Sequence, residues 1–366
     1  MKKKKLLIFS YDFPPSDGGI SRLCNEIAHK AIDEFDDVTV LTRRKVEAQK
    51  SSFNQKIKIR FVHKRRVLSE LTSLWFLLTL KNKNNYQVLC GVWHPEAFLV
   101  WLAGYKKINV LVHGAEMLTG ASKFRKFFWL PIYANWLLNK VTIIANSDYT
   151  GSLCEIIVSK KHVNVLPLGV NHQFFKPFKK TNTNKVIIGT VSRIEKFKGH
   201  DFILKVISKL PNKYLKKIEW HIAGTGPYLN QLKKNVTTLN LDEIVKFHGF
   251  VPDDELPSFY NFLDLFILCT REIEDEVEGF GLVFLEAQSC GVPVIGTNTG
   301  GISSAIENKK GGWLIEQDNE QELSNLITLL VENNSILKVE GIKARHRVEK
   351  ECTWELYSQK LFKILK

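Results

Sequence analysis

Short runs of β-branched and other apolar residues recur along the chain. Each is followed by a longer stretch in which apolar positions return every three or four residues. The short runs fall at 5–10, 38–41, 57–61, 88–90, 109–112, 142–145 and 163–166. They are too short for helices, which predicts strands. Amphipathic stretches such as 20–34 and 147–158 lie between them and predict helices. After 167–184, a stretch rich in Lys, Pro and Asn, the pattern restarts. New runs follow at 185–191, 218–223, 245–249, 265–268, 293–295 and 312–315, with helical patterns at 200–210, 227–239, 255–262, 282–289 and 320–332. Alternation of this kind predicts an α/β protein with parallel sheets covered on both faces. The restart predicts two doubly wound, Rossmann-like domains, 1–180 and 181–352. The last stretch, about 353–366, reads as an amphipathic helix. Ligands of open parallel sheets bind beyond the carboxyl ends of the strands. Two such sheets facing one another would place a cleft between them.

Length and composition agree with that layout. The 366 residues suit two domains of about 150–200 residues each. A content of 44% hydrophobic and 25% charged residues excludes a disordered chain. The apolar stretches, such as those near 74–78 and 127–130, fall far short of the roughly 20 residues of a membrane-spanning helix. Lysines at 2–5 resemble the start of a secretory leader, but only 6–9 are apolar behind them, fewer than the roughly 7–15 required. This segment reads as a first strand with a basic lead-in. The six cysteines, at 24, 90, 154, 269, 290 and 352, form no Cys-x-x-Cys pair and read as reduced core residues of a cytosolic protein.

Charge breaks the apparent equality of the two halves. Residues 1–180 carry 29 Lys+Arg against 13 Asp+Glu, a surplus of 16, whereas residues 181–366 carry 23 against 25. The first half is therefore expected to face something acidic: anionic lipid, nucleic acid or an acidic acceptor.

The candidate chemistry sits where runs end. In Glu278-Gly-Phe-Gly-Leu-Val-Phe-Leu-Glu286, Gly279 and Gly281 allow close backbone approach to a ligand, and a helix beginning near Leu282 offers free N–H groups to an anion. Glu286 is expected about one turn into that helix, facing what Glu278 faces, where a carboxylate can accept hydrogen bonds from paired hydroxyls such as those of a ribose. Arg193 and Lys198 lie where a strand end meets a helix start and can hold a diphosphate, one as a fork and the other as a point charge. Gly18 and Gly19 follow the first strand and can present bare N–H groups to a phosphate. His113-Gly114 follows the run 109–112, again at a carboxyl end. Each feature alone also suits a plain turn or a surface charge. Ala223-Gly-Thr-Gly-Pro227 is not a dinucleotide fingerprint, because Leu229 stands at its third glycine position.

Taken together, Gly18-Gly19, His113-Gly114, Arg193 with Lys198, Glu278-x7-Glu286 and Pro167-Leu-Gly-Val170 resemble glycosyltransferase family 4, the retaining branch of the GT-B fold. The stretch 275–287 is similar in particular to bacterial lipid-linked mannosyltransferases. The resemblance implies a hexosyltransferase using a nucleotide-diphosphate sugar, without cofactor or metal. It implies Arg193 and Lys198 on the donor diphosphate, Gly18 and Gly19 against phosphates and acceptor, and His113 near the reacting face of the donor sugar. Glu278 would hold sugar hydroxyls and Glu286 the ribose, with Gly279, Phe280, Gly281 and Leu282 completing the donor loop. No side chain of this set is an obvious covalent nucleophile. The family's usual explanation is front-face attack, with the leaving phosphate taking the acceptor proton. The resemblance also implies that the C-terminal helix crosses back onto the first domain. No Asp-x-Asp metal motif occurs; Asp253-Asp254 reads as a helix N-cap pair.

GDP-mannose is the favoured donor and a glycan or lipid-linked molecule the acceptor, in polysaccharide or glycolipid synthesis. A UDP-hexose or UDP-N-acetylhexosamine donor is the alternative, followed by a sugar-nucleotide epimerase, a phosphorylase or a non-enzymatic nucleic-acid binder. Paired acids argue against the last, since they repel phosphodiesters, so no nucleic-acid partner is expected. Two basic, apolar segments, 64–81 and 123–133, suit helices lying in a membrane interface. They predict a cytoplasmic protein docked on the anionic inner face of the plasma membrane.

Overall fold

The computed structural model describes residues 4–16, 18–44, 54–118, 122–158, 163–178, 184–274 and 276–365. The start of the basic lead-in, Asp17, the 180/181 break and residue 275 lie outside the described residues. The chain forms two compact units, one of Met1–Pro167 with Trp354–Lys366 and the other of Leu168–Thr353.

The first unit is built on strands β1 (Lys5–Phe9), β2 (Asp37–Arg43), β3 (Ile57–Val62), β4 (Tyr86–Cys90), β5 (Ile108–Val112), β6 (Thr142–Ala145) and β7 (Val163–Val165), in the order β3-β2-β1-β4-β5-β6-β7. Every pairing is parallel. Leu6, Leu7, Ile8 and Phe9 of β1 are fully buried, which is why this run is apolar on both faces. The helix Gly19–Ala31 covers one face together with the C-terminal helix Trp354–Leu365. The two are joined by Phe35 edge-on to Phe362 and by Lys30 Nζ at 2.6 Å from Glu355 Oε1.

One helix of this unit carries apolar residues on its outer side as well as its inner side. Arg66–Thr79 buries Ser69, Ser73 and Leu77, with the Ser73 hydroxyl 3.1 Å from that of Tyr11. Val67, Leu71, Trp75 and Leu78, spaced by four, four and three residues along one stripe, are 53–69% exposed. The second basic segment forms the π-helical run Arg125–Ala134, where Pro131 lacks the N–H that a regular α-helix would use. Phe127, Phe128 and Ile132 project from it into solvent.

The second unit contains β8 (Val186–Val191), β9 (Ile218–Ala223), β10 (Val245–Gly249), β11 (Leu265–Leu268), β12 (Val294–Thr297) and β13 (Gly312–Ile315), in the order β10-β9-β8-β11-β12-β13. These pairings are parallel too. The helix Ser335–Glu351 is not legible in the sequence. Its buried positions are Leu337, Glu340, Gly341, Ala344 and Val348, so an acid and two small residues weaken the hydrophobic pattern. Asp253 and Asp254 do not cap a helix: they lie in the turn before Leu256–Phe262, whose N-cap is Glu255. Cys24, Cys90, Cys154, Cys269 and Cys290 are free and buried, and Cys352 is free and half-buried. No described helix is long and apolar enough to cross a membrane.

Candidate active site

In the second unit the strand order reverses between β8 and β11, the position at which open sheets bind ligands. The loop after β8 is fixed by its backbone. Ser192 N–H donates to Ala223 O at 3.1 Å and Ile194 N–H to Thr225 O at 2.9 Å. Arg193 projects outward between them, its side chain 74% exposed and its Nη2 2.8 Å from Glu195 Oε1. Lys198 ends the short turn Lys196–Lys198 and is turned inward. Its side chain is 14% exposed, and its Nζ lies 2.6 Å from Glu278 Oε2 and 4.6 Å from the centre of the Phe197 ring. Gly199 follows with φ of 74°, and a Cβ there would stand 1.7 Å from the carbonyl oxygen of Cys269, so only glycine lets this turn rest on the end of β11. Arg271 braces the same turn. Its N–H donates to Phe197 O at 2.7 Å, and its guanidinium binds Asp201 at 2.9 Å and Asp318 at 2.7 Å.

Glu278 is held from below by the turn after β12. Gly301 N–H donates to Glu278 O at 2.8 Å, and a Cβ on Gly300, whose φ is 53°, would fall 2.4 Å from that oxygen. Gly281 has φ of 85° and is the N-cap of the helix Leu282–Ser289, which has no side-chain cap. The Phe284 N–H closes on Gly281 O at 3.0 Å, which leaves the N–H groups of Leu282 and Val283 to meet an anion. Phe280 is buried, so its ring anchors the loop and a ligand would meet backbone at this position. Gly279 and Leu282 flank it, both half-buried. Lys198 and Glu278 are thus brought together, while Arg193 pairs elsewhere. Glu286 is buried and accepts a hydrogen bond from the Tyr260 hydroxyl at 2.7 Å. The two acids therefore have different partners within the protein. Burial and the nearby Lys198 push the pKa of His200 down to about 4, so His200 stays neutral behind the pair.

In the first unit the order reverses between β1 and β4. Gly18 has φ of 122° and is the N-cap of Gly19–Ala31. Gly19 is that helix's first residue, so of the two only Gly18 supplies positive φ. His113 follows β5 and is half-buried. Its N–H donates to Glu116 Oε1 at 2.6 Å, and its Nε2 lies 2.8 Å from Gly91 O. A carbonyl only accepts, so Nε2 carries the hydrogen. Glu96 is a residue that sequence reasoning misses. It is buried, and it accepts from Tyr11 N–H at 2.8 Å and Val92 N–H at 2.9 Å, joining the loops after β1 and β4. Burial pushes its carboxyl up to about 8. The available signal is an acid inside the apolar run from Trp93 to Leu99. Among the described residues, no three His, Cys, Asp or Glu side chains converge as a metal site requires.

Residues 171–351 match the family described as glycosyl transferases group 1. The chain is also 25% identical over 401 residues to the GDP-mannose-dependent alpha-(1-6)-phosphatidylinositol monomannoside mannosyltransferase of Mycobacterium tuberculosis H37Rv, covering 99% of this chain and 98% of that enzyme. The chain is a GT-B glycosyltransferase. Among solved structures, the glycosyltransferase superposes on Anabaena Alr3699/HepE in complex with UDP with a TM-score of 0.78, at 19% identity and over 99% of both chains. It is 24% identical to a putative colanic acid biosynthesis glycosyltransferase of Escherichia coli K12 over 264 residues, which is 71% of this chain and 64% of the relative.

Proposed function

We propose that the chain is a retaining, metal-independent hexosyltransferase of glycosyltransferase family 4. It moves mannose from GDP-mannose to a hydroxyl of a glycan or lipid-linked acceptor of the cell envelope. The observation that carries this reading is the partly buried Lys198–Glu278 pair at the β8/β11 switch point, beside an uncapped helix N-terminus. A diphosphate draws Lys198 away from Glu278 and lies against the N–H groups of Leu282 and Val283. The freed Glu278 carboxylate then accepts hydrogen bonds from sugar hydroxyls. Arg193, exposed at the surface, adds a second cation. Glu286 would hold the ribose, and His113 would serve the reacting face of the sugar.

In the reaction, the bond from the anomeric carbon to the diphosphate oxygen breaks, and a bond to the acceptor oxygen forms on the same face. The acceptor proton passes to the leaving phosphate, so no protein nucleophile is required. Lys198, Arg193 and the helix N-terminus stabilise the charge that develops on the leaving group. The full-length similarity to a GDP-mannose-dependent enzyme favours GDP-mannose. The likeness to a UDP-bound structure supports a UDP-hexose as the second reading.

The first unit is the membrane and acceptor side in this reading. Val67, Leu71, Trp75 and Leu78 form an exposed apolar stripe, with exposed Lys64, Arg65 and Arg66 at its start. That combination suits a helix lying on an anionic bilayer. The test is to offer GDP-mannose, UDP-glucose and UDP-N-acetylglucosamine with a phosphatidylinositol-containing lipid extract, with and without EDTA, and to read the product's anomeric configuration by NMR. The reading expects mannose transfer with an α-linked product, unaffected by EDTA. A β-linked product, or no turnover of any donor, would contradict it.

A further inference from the structure

Beside the His113 loop, and wholly within the first unit, lies a cavity of about 350 Å³ lined by Trp93, His94, Glu116, Phe124, Arg125 and Trp129. Its walls are aromatic. Trp93 and Trp129 pack at 5.6 Å between ring centres, His94 stands edge-on to Trp129 at 4.8 Å, and Phe124 lies 6.0 Å from Trp129. The polar groups are few and mostly engaged. Glu116 accepts the N–H of His113, which ties the cavity wall to that loop. The Nδ1 of His94 is 2.9 Å from the Tyr133 hydroxyl.

Arg125 is the exception. Its Nη2 donates to Glu116 O at 2.9 Å, but its Nε is buried and has no hydrogen-bond partner among the described residues. Arg125 lines the cavity and is half-buried, so an anionic oxygen there would meet a guanidinium already partly stripped of water. Phe124, which lines the cavity, stacks on Phe128 at 5.5 Å, and the two are 59% and 51% exposed, with Phe127, Lys123 and Lys126 also exposed in the same segment.

An aromatic hole with one hungry cation at its wall and a basic, apolar rim suits a molecule that is hydrocarbon next to a phosphate. We infer that this cavity takes the phosphate-proximal hydrocarbon of an anionic lipid acceptor, with the phosphate on Arg125 and the chain against Phe124, Trp93 and Trp129. The inference rests on the lipid-linked acceptor proposed above and specifies where that lipid is held. A sugar ring stacked in the same cavity is the competing occupant. It leaves the phenylalanine rim without a role, and the few polar groups are already largely engaged.

The experiment titrates monomeric dihexanoyl phosphatidic acid, inorganic phosphate and methyl α-mannoside into the full chain by calorimetry. It is repeated with Phe124→Ser, Arg125→Gln and, outside the cavity, Leu71→Ser. Phe124 and Leu71 are exposed, and thermal melts confirm that each variant is folded. The phosphatidic acid is expected to bind the wild type and Leu71→Ser alike, to bind Phe124→Ser and Arg125→Gln at least fivefold more weakly, and to bind more tightly than phosphate alone. Equal binding by all four proteins, no binding by the wild type, or tighter and Phe124-dependent binding of methyl α-mannoside would overturn the inference. Release of GDP from GDP-mannose by the wild type is measured in parallel. Its absence in the wild type would count against the glycosyl-donor reading and not against the cavity.

Discussion

Both parallel sheets reverse their strand order next to their first strand, at β1/β4 in one unit and at β8/β11 in the other, yet different chemistry stands at the two places. In the second unit a charged pair, Lys198 with Glu278, meets an uncapped helix N-terminus. In the first unit the corresponding position is occupied by Glu96, a buried acid whose pKa is raised to about 8 and which is saturated by backbone N–H groups. One switch point is equipped to exchange partners with an anion, and the other is a fixed brace. The surfaces differ in the opposite sense. The first unit displays apolar stripes with basic flanks, while residues 181–366 carry almost balanced charge, 23 basic against 25 acidic. In the function proposed above, the same strand order serves a donor side that binds through charge and an acceptor side that binds through apolar surface.

The largest effect that would break this comparison is expected at Gly199. Gly199→Ala forces a Cβ to 1.7 Å from the carbonyl oxygen of Cys269, so the turn carrying Lys198 must move or unfold. We expect a loss of stability of several kcal/mol together with loss of activity, read by urea titration and donor turnover. A silent substitution would mean that the turn is not held as described. Next, Arg193→Ala is expected to lower turnover about tenfold. Because Arg193 is 74% exposed, stability should not change, which separates a role in binding from one in folding.

Smaller effects sharpen the contrast between surfaces. Leu71→Ser with Trp75→Ser should reduce co-sedimentation with phosphatidylglycerol vesicles at low salt about fivefold while leaving turnover of a soluble acceptor intact. Equal pelleting would remove the stripe from the membrane account. The Glu96 brace predicts a pH effect. The folded chain keeps the Glu96 proton up to about pH 8, whereas the unfolded chain releases it near pH 4.3. Stability should therefore fall as pH rises through that window, by on the order of 2–4 kcal/mol. Glu96→Gln cannot ionise and should flatten the slope in urea melts at pH 5 and pH 8.5. An unchanged slope would show that the carboxyl titrates normally.

Much of the fold is legible in the pattern of apolar residues. All thirteen described strands coincide with the predicted runs; the central ones are buried on both faces and leave few polar positions to blur the signal, whereas the edge strands β3, β7 and β10 keep polar, partly exposed ones. The helix Leu282–Ser289 is visible for the same reason, with Phe284 through Ser289 all buried. The Ser335–Glu351 helix is not, since an acid and two small residues stand among its buried positions. The site is legible as a set of loop ends but not as a set of contacts. Spacing does not reveal that the ion partner of Glu278 is Lys198, eighty positions away in sequence, or that Glu286 bonds Tyr260. Pairings of that kind arise from strand order, which periodicity does not encode. Arg271 and Glu96 escape notice for a related reason: what they do depends on loops brought together only by the sheets.

The central claim is that Lys198 grips the donor diphosphate at the β8/β11 switch point. It is tested most directly by the rate of GDP release from GDP-mannose, in the presence of a lipid acceptor extract, for wild type and Lys198→Ala with equal thermal stability. The account predicts a fall on the order of 10²–10³ in turnover, as when one preorganised donor to a developing anion is removed. Turnover by Lys198→Ala within a factor of two of wild type would contradict it.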